Sequence, residues 1–129
     1  MATVTKQIRV ADADAAWALI GDFGGAMRAF PGMLSDCSVE GDTRTVTFAS
    51  GNVVQERLIG RDEARRRIAY CVIGGRFMHH NASLAVAREG DGSGMVTWIT
   101  DMLPDESAAI VDPLMEAGMR AFASVLQSD

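Results

Sequence analysis

The spacing of apolar residues changes several times along the chain. In "TVTKQIRV", residues 3–10, Val4, Ile8 and Val10 alternate imperfectly with polar neighbours, which predicts a strand. In "ADADAAWALIGDF" the period becomes helical: Ala13, Ala16, Trp17 and Ile20 share one face, and Asp12 stands where an N-cap belongs. Gly21 is placed to end that helix in the left-handed conformation. "GGAMRAFPGM" predicts a second short helix, with Met27 and Phe30 on its apolar side and Pro31-Gly32 closing it.

From 33 to 102 the period is two, broken by turns. "LSDCSVE" and "TRTVTFA" flank Gly41-Asp42, and "TRTVTFA" and "VVQERLIG" flank Ser50-Gly51-Asn52. "RIAYCVI" follows a charged tip and is broken by Gly74-Gly75; "HHNASLAVA" and "MVTWITDML" flank the glycine-rich "REGDGSG". These segments predict about six strands joined by tight turns, hence antiparallel. After Pro104 the helical period returns. Ile110, Val111, Leu114, Met115, Gly118, Met119, Phe122, Val125 and Leu126 form one broad face. Asp105 is placed to cap this segment. Pro113 predicts a kinked or two-part helix over about 105–127, with Asp112 capping a helix that begins at Pro113 as the alternative.

The order is strand, two short helices, a six-strand meander and one long helix. It predicts a single α+β domain over 1–129: a curved antiparallel sheet of about seven strands wrapped around the C-terminal helix. A helix lying in the hollow of a curved sheet rarely fills it, so the pattern predicts a cavity for a small molecule. Strand parity directs Ile68, Tyr70 and Val72, then Val96, Trp98, Thr100 and Met102, and then His80, Ala82, Leu84 and Val86 inward. A hairpin symmetric about Glu63 would set Leu58 against Ile68 and Glu56 against Tyr70, and Arg44 shares the parity of Val46 and Phe48. On the helix, Met115 and Met119 suit a border of variable filling, and Gly118 removes a side chain from the inner face.

Charge narrows the partners. The formal net charge of −5 and pI of about 4.9 argue against nucleic acid or an anionic membrane. The local cluster of Arg61 and Arg65–Arg67, interrupted by Asp62 and Glu63, reads as a solvated hairpin tip. No secretory signal opens the chain and no apolar run is long enough to insert into a bilayer, so a cytoplasmic location is expected. The two cysteines, Cys37 and Cys71, read as buried thiols and not as a disulfide. No cofactor motif is present: Gly24-Gly25 lacks the wider phosphate-binding fingerprint.

The element order, together with "DFGGAMRAFPGM", "ERLIGRDEARRRIAY", "GDGSGMVTWITDMLPDE" and the closing helix, resembles the START and birch-pollen-allergen superfamily over about residues 2–127. More narrowly it is similar to the polyketide cyclase/dehydrase-like branch of small helix-grip proteins. The resemblance implies the helix-grip fold and binding of lipids, hormones or polyketides, with cyclisation or dehydration in some members. Where such proteins often carry tryptophan and histidine before the proline of the second helix, this chain has Ala29 and Phe30.

Three functions follow as expectations. The preferred one is binding of a hydrophobic or amphipathic guest. Its expected wall comprises Phe23, Met27, Phe30, Phe48 and Tyr70 from the first half of the chain. His80, Trp98, Met115, Met119 and Phe122 complete it. The second is an enzyme in which Glu56 or His80 removes a proton beside a carbonyl and Tyr70 steadies the oxyanion. Against catalysis stands the reading of Glu56 as a structural partner of Arg44 or Tyr70. The third is a ligand-free interaction domain, with a homodimer left open. Metal binding is not expected, because His79 and His80 on one strand point to opposite faces.

Overall fold

A computed structural model describes residues 1–127. Seven strands form one antiparallel sheet: β1 (Ala2–Val10), β2 (Leu34–Glu40), β3 (Thr43–Phe48), β4 (Val53–Asp62), β5 (Arg67–Ile73), β6 (His79–Arg88) and β7 (Gly94–Leu103). Their spatial order is β1-β7-β6-β5-β4-β3-β2, so only β1 is displaced from sequence order. Between β1 and β2 come α1 (Ala13–Ile20), a 3-10 turn at Phe23–Gly25 and α2 (Ala26–Ala29). The chain closes with a 3-10 turn at Asp105–Ser107 and α3 (Ala108–Gln127). This is the antiparallel sheet with a long closing helix that the alternation of periods predicts, and the helix-grip architecture that the resemblance implies. No helix among the described residues is long and apolar enough to cross a membrane.

Caps and tips depart from expectation in instructive ways. Asp12 does cap α1, its carboxylate accepting from the Ala15 N–H at 3.1 Å. Gly21 ends that helix at φ −72°, not in the left-handed region; a Cβ there would stand 2.9 Å from the Trp17 ring. Asp105 does not cap α3 but pairs with the amino terminus at 3.2 Å. Pro113 lies inside α3, so the two-part form is the 3-10 turn followed by one helix and Asp112 begins nothing.

The charged tip is not merely solvated. Arg61 donates to the Gly21 carbonyl at 2.7 Å and lies 4.8 Å from the Trp17 ring centroid. The Trp17 indole donates to Glu63, and Arg66 pairs with Asp14 at 2.6 Å. The β4–β5 hairpin thus clamps α1 to the sheet through Trp17. Both cysteines are half-buried free thiols, and burial raises the Cys37 thiol above its ordinary range.

Two apolar clusters fill the concave side. The larger joins Trp17 and Ile20 of α1 to Leu84 and Val96 of β6 and β7 and to Met119 and Phe122 of α3. The smaller joins Val4, Met102, Val111 and Met115. The helix lies against β1 and reaches α2; β3, β4 and β5 receive no comparable cover from it. The uncovered part of the concave face is where the site lies.

Candidate functional site

A hollow of about 580 Å³ opens between α3 and the β3–β5 part of the sheet. Val46 and Phe48 of β3, Val54 of β4 and Val72 of β5 give it apolar walls. Trp98 and Thr100 of β7 form its floor, and Phe30 closes it beyond α2. Val111, Met115 and Gly118 line it from α3, while Ile110 and Leu114 border it and stay 46% and 42% exposed.

One ion pair is buried in this wall. Arg44 and Glu56 stand directly opposite each other on β3 and β4, with Nε donating to Oε1 at 2.8 Å. Arg44 also donates through Nη1 to the Phe23 carbonyl at 2.8 Å. Its guanidinium carbon lies 4.3 Å from the Phe23 ring centroid and 4.9 Å from that of Tyr70, so two aromatic faces hold it. Among the described residues no protein acceptor meets its Nη2.

Glu56 reaches the interior through a β-bulge. The tip pairs Asp62 with Arg67, Arg61 with Ile68 and Gly60 with Ala69; the ladder then shifts, pairing Leu58 with Tyr70 and Glu56 with Val72. Glu56 therefore does not face Tyr70, as a tip symmetric about Glu63 would require. An unbroken ladder from the observed tip would have set Glu56 opposite Ile73 on the outer face. The extra residue, Ile59, turns it inward.

His80 is fixed by the end of another ladder. Strands β5 and β6 pair only from Arg67–Tyr70 to Ala82–Ala85. Beyond that the strands part, and the Val72 N–H donates to His80 Nδ1 at 3.2 Å. A backbone N–H can only donate, so Nδ1 is bare and the neutral ring carries its proton on Nε2. Burial pushes the His80 pKa down to about 4; its own carbonyl opposes this and His79 adds to it. His80 is therefore a neutral hydrogen-bond donor at neutral pH. Phe77 packs over it with ring centroids 4.9 Å apart.

Tyr70, on the same wall, is held protonated. Burial raises its pKa first and the Glu56 charge adds to this; Arg44 opposes, as does the neighbouring Trp98 indole. That indole N–H is itself buried and aligned with no acceptor among the described residues.

Of the expected wall residues, Phe30, Phe48, Tyr70, His80, Trp98 and Met115 line the hollow, as do Glu56 and Arg44. Four do not. Phe23 lies beneath the Arg44 guanidinium, facing a shallow surface groove. Met27 is 40% exposed, because α2 turns Ala26 and Ala29 inward instead. Met119 and Phe122 are consumed by the larger core cluster. Gly118 also differs from expectation: the space it leaves is taken by Trp98, whose Cζ3 would stand 2.9 Å from an added Cβ. Sequence reading did not single out Arg76 and Phe77, which line the hollow from the loop after Gly74-Gly75.

Comparison with known proteins agrees with this geometry. A family model described as polyketide cyclase / dehydrase and lipid transport matches residues 1–127, and the chain belongs to that family. No curated protein matched the sequence significantly. Among solved structures, an uncharacterised protein from Bacillus thuringiensis is similar at 19% identity and TM-score 0.87, covering 98% of this chain and 100% of its own. A Thermobifida fusca protein is similar at 28% identity and TM-score 0.78, covering 95% and 91%. Norcoclaurine synthase from Thalictrum flavum, in complex with dopamine and hydroxybenzaldehyde, is similar at 20% identity and TM-score 0.74, covering 98% and 88%.

Proposed function

We propose that this member of the polyketide cyclase/dehydrase and lipid transport family holds one hydrophobic or amphipathic small molecule in the hollow between sheet and α3. The observation that carries the reading is the hollow itself. At about 580 Å³ it falls within the range of roughly 300–1,000 Å³ typical of small-molecule sites. Its walls are mostly apolar and its polar groups are few and grouped. Arg44, Tyr70 and His80 all line it, with the Arg44 guanidinium and the His80 ring both near the Tyr70 ring, and their donors suit an acceptor oxygen on the guest. A buried ion pair adds little stability over apolar residues of the same volume. The Arg44–Glu56 pair is thus better explained by recognition than by folding. The empty volume weighs against a domain whose interior is closed by packing alone.

Native mass spectrometry of the protein purified from its own host tests this directly, with a co-purified small molecule expected. A guest supplied at one hundred times its dissociation constant stabilises the fold by about 2.7 kcal/mol. Val72→Trp, which fills the hollow, removes that gain; a gain that survives the substitution would place binding elsewhere.

Catalysis is a second reading, carried by Glu56 as the one carboxylate lining the hollow among the described residues. In that reading Glu56 removes a proton next to a guest carbonyl whose oxygen is held by Tyr70. Turnover that persists in Glu56→Gln would dismiss it.

A further inference from the structure

The charge of the hollow's wall runs opposite to that of the chain. The protein carries a formal charge of −5, yet among the described residues the charged ones that line the hollow are two arginines, Arg44 and Arg76, and one glutamate. Glu56 is already matched by Arg44 at 2.8 Å. The positive charge left over belongs to Arg76.

Arg76 is an exposed residue at the border of the hollow. The β5–β6 loop leaves the sheet through Gly74 and Gly75, both left-handed at φ +69° and +75°, a conformation that residues with side chains rarely adopt. Two residues on, Phe77 anchors the loop against His80 and the smaller core cluster. Arg76 is held between these two fixed points, exposed and bordering the hollow. It has no carboxylate partner among the described residues, whereas three of the four described acids of the closing segment are engaged on the β1 side, Glu106 being the exception. Asp105 pairs with the amino terminus, and Asp112 and Glu116 pair with Lys6. Exposed apolar residues, Val53, Ile110 and Leu114, border the hollow together with the polar Ser50, Asn52 and Gln55. Apolar neighbours lower the local dielectric and strengthen any ion pair formed there.

We propose that the guest is an acid: an apolar body in the hollow, with an anionic oxygen group held at the mouth by Arg76. This rests on the hollow being a binding site and goes further by assigning the sign of the guest's charge and the residue that reads it. The pair inside the hollow is internally neutralised and suits an uncharged acceptor, so the mouth is where charge is read.

Octanoate and methyl octanoate separate the two claims, because the ester keeps the carbonyl and the chain and loses only the charge. Titration calorimetry, with Trp98 fluorescence as a second readout, is expected to show octanoate binding three- to fivefold tighter at low salt, the scale of a partly exposed ion pair. Arg76→Ala is expected to bring that ratio to one by weakening octanoate alone, and Arg76→Lys to keep most of it. Raising the ionic strength should shrink the ratio in the wild type. Equal affinities in the wild type would overturn the acid assignment and leave the hollow a binding site. A preference that survives Arg76→Ala would overturn the role of Arg76. Binding of neither probe would overturn both the acid assignment and the hollow as a site for apolar guests.

Discussion

The two ends of the concave face are built from the same kinds of strand and end differently. Around β1, β6 and β7, helices α1 and α3 press Trp17, Leu84, Val96 and Phe122 into a dry core. Around β3, β4 and β5 the same sheet receives no comparable cover from α3, and its inward positions carry Arg44, Glu56 and Tyr70 beside a hollow. Alternation alone is therefore not enough to make a core. What sits across from a strand decides whether its inner residues pack or line a space.

Substitutions at the two ends should separate stability from binding. The largest effect is expected at the closed end. Phe122 is 1% exposed, and Phe122→Ala should cost about 3–5 kcal/mol in urea unfolding while leaving guest affinity near wild type once the protein is folded. If affinity fell as far as stability, the two ends would be one unit.

At the open end, Arg44→Ala strands Glu56 in the wall and should cost about 2–3 kcal/mol, somewhat under the figure for a fully enclosed pair because the hollow admits water. Replacing both residues, Arg44→Met with Glu56→Leu, should recover most of the stability yet not the affinity for a polar guest. Full recovery of binding would show that the pair has no part in recognition.

His80 supplies a pH dependence. Its folded pKa of about 4 lies below the ordinary value of 6.5, so between these limits the unfolded chain binds more protons. The share of stability due to His80 should be steady above about pH 6.5, fall as pH drops towards 4 and level off below, by about 2 kcal/mol after allowance for partial solvation. Urea midpoints across that range in wild type and His80→Gln check this: the variant should lose that share of the slope.

Gly118 lies at the boundary of the two ends. Gly118→Ala puts a methyl group against the Trp98 ring and should cost about 1–2 kcal/mol. It should also shift Trp98 emission and weaken guest binding, because the indole that must yield lines the hollow.

These contrasts also mark what could be read from the chain. The strands, their partners and the inner parity of Val46, Tyr70 and Trp98 followed from alternation and turn residues, because register is fixed wherever one face is buried. The hollow's place did not, since it depends on which strands α3 fails to cover. Met27 and Met119 illustrate the difficulty: both are apolar at helical spacing, yet one is exposed and the other locked in the core. Gly118 was legible as a gap, but that Trp98 would fill it was not. The His80 tautomer depends on where the β5–β6 ladder stops, and no residue type announces that point.

The bulge at Ile59 has a consequence for how this chain can change length. Strand β4 holds one residue more than its ladder with β5 uses. A lost codon anywhere from Arg57 to Gly60 can therefore be absorbed by straightening the ladder, with Glu56 still opposite Val72 and Arg44. An added residue finds no such slack and would turn the strand over, exchanging the carboxylate inside for whatever had faced the solvent.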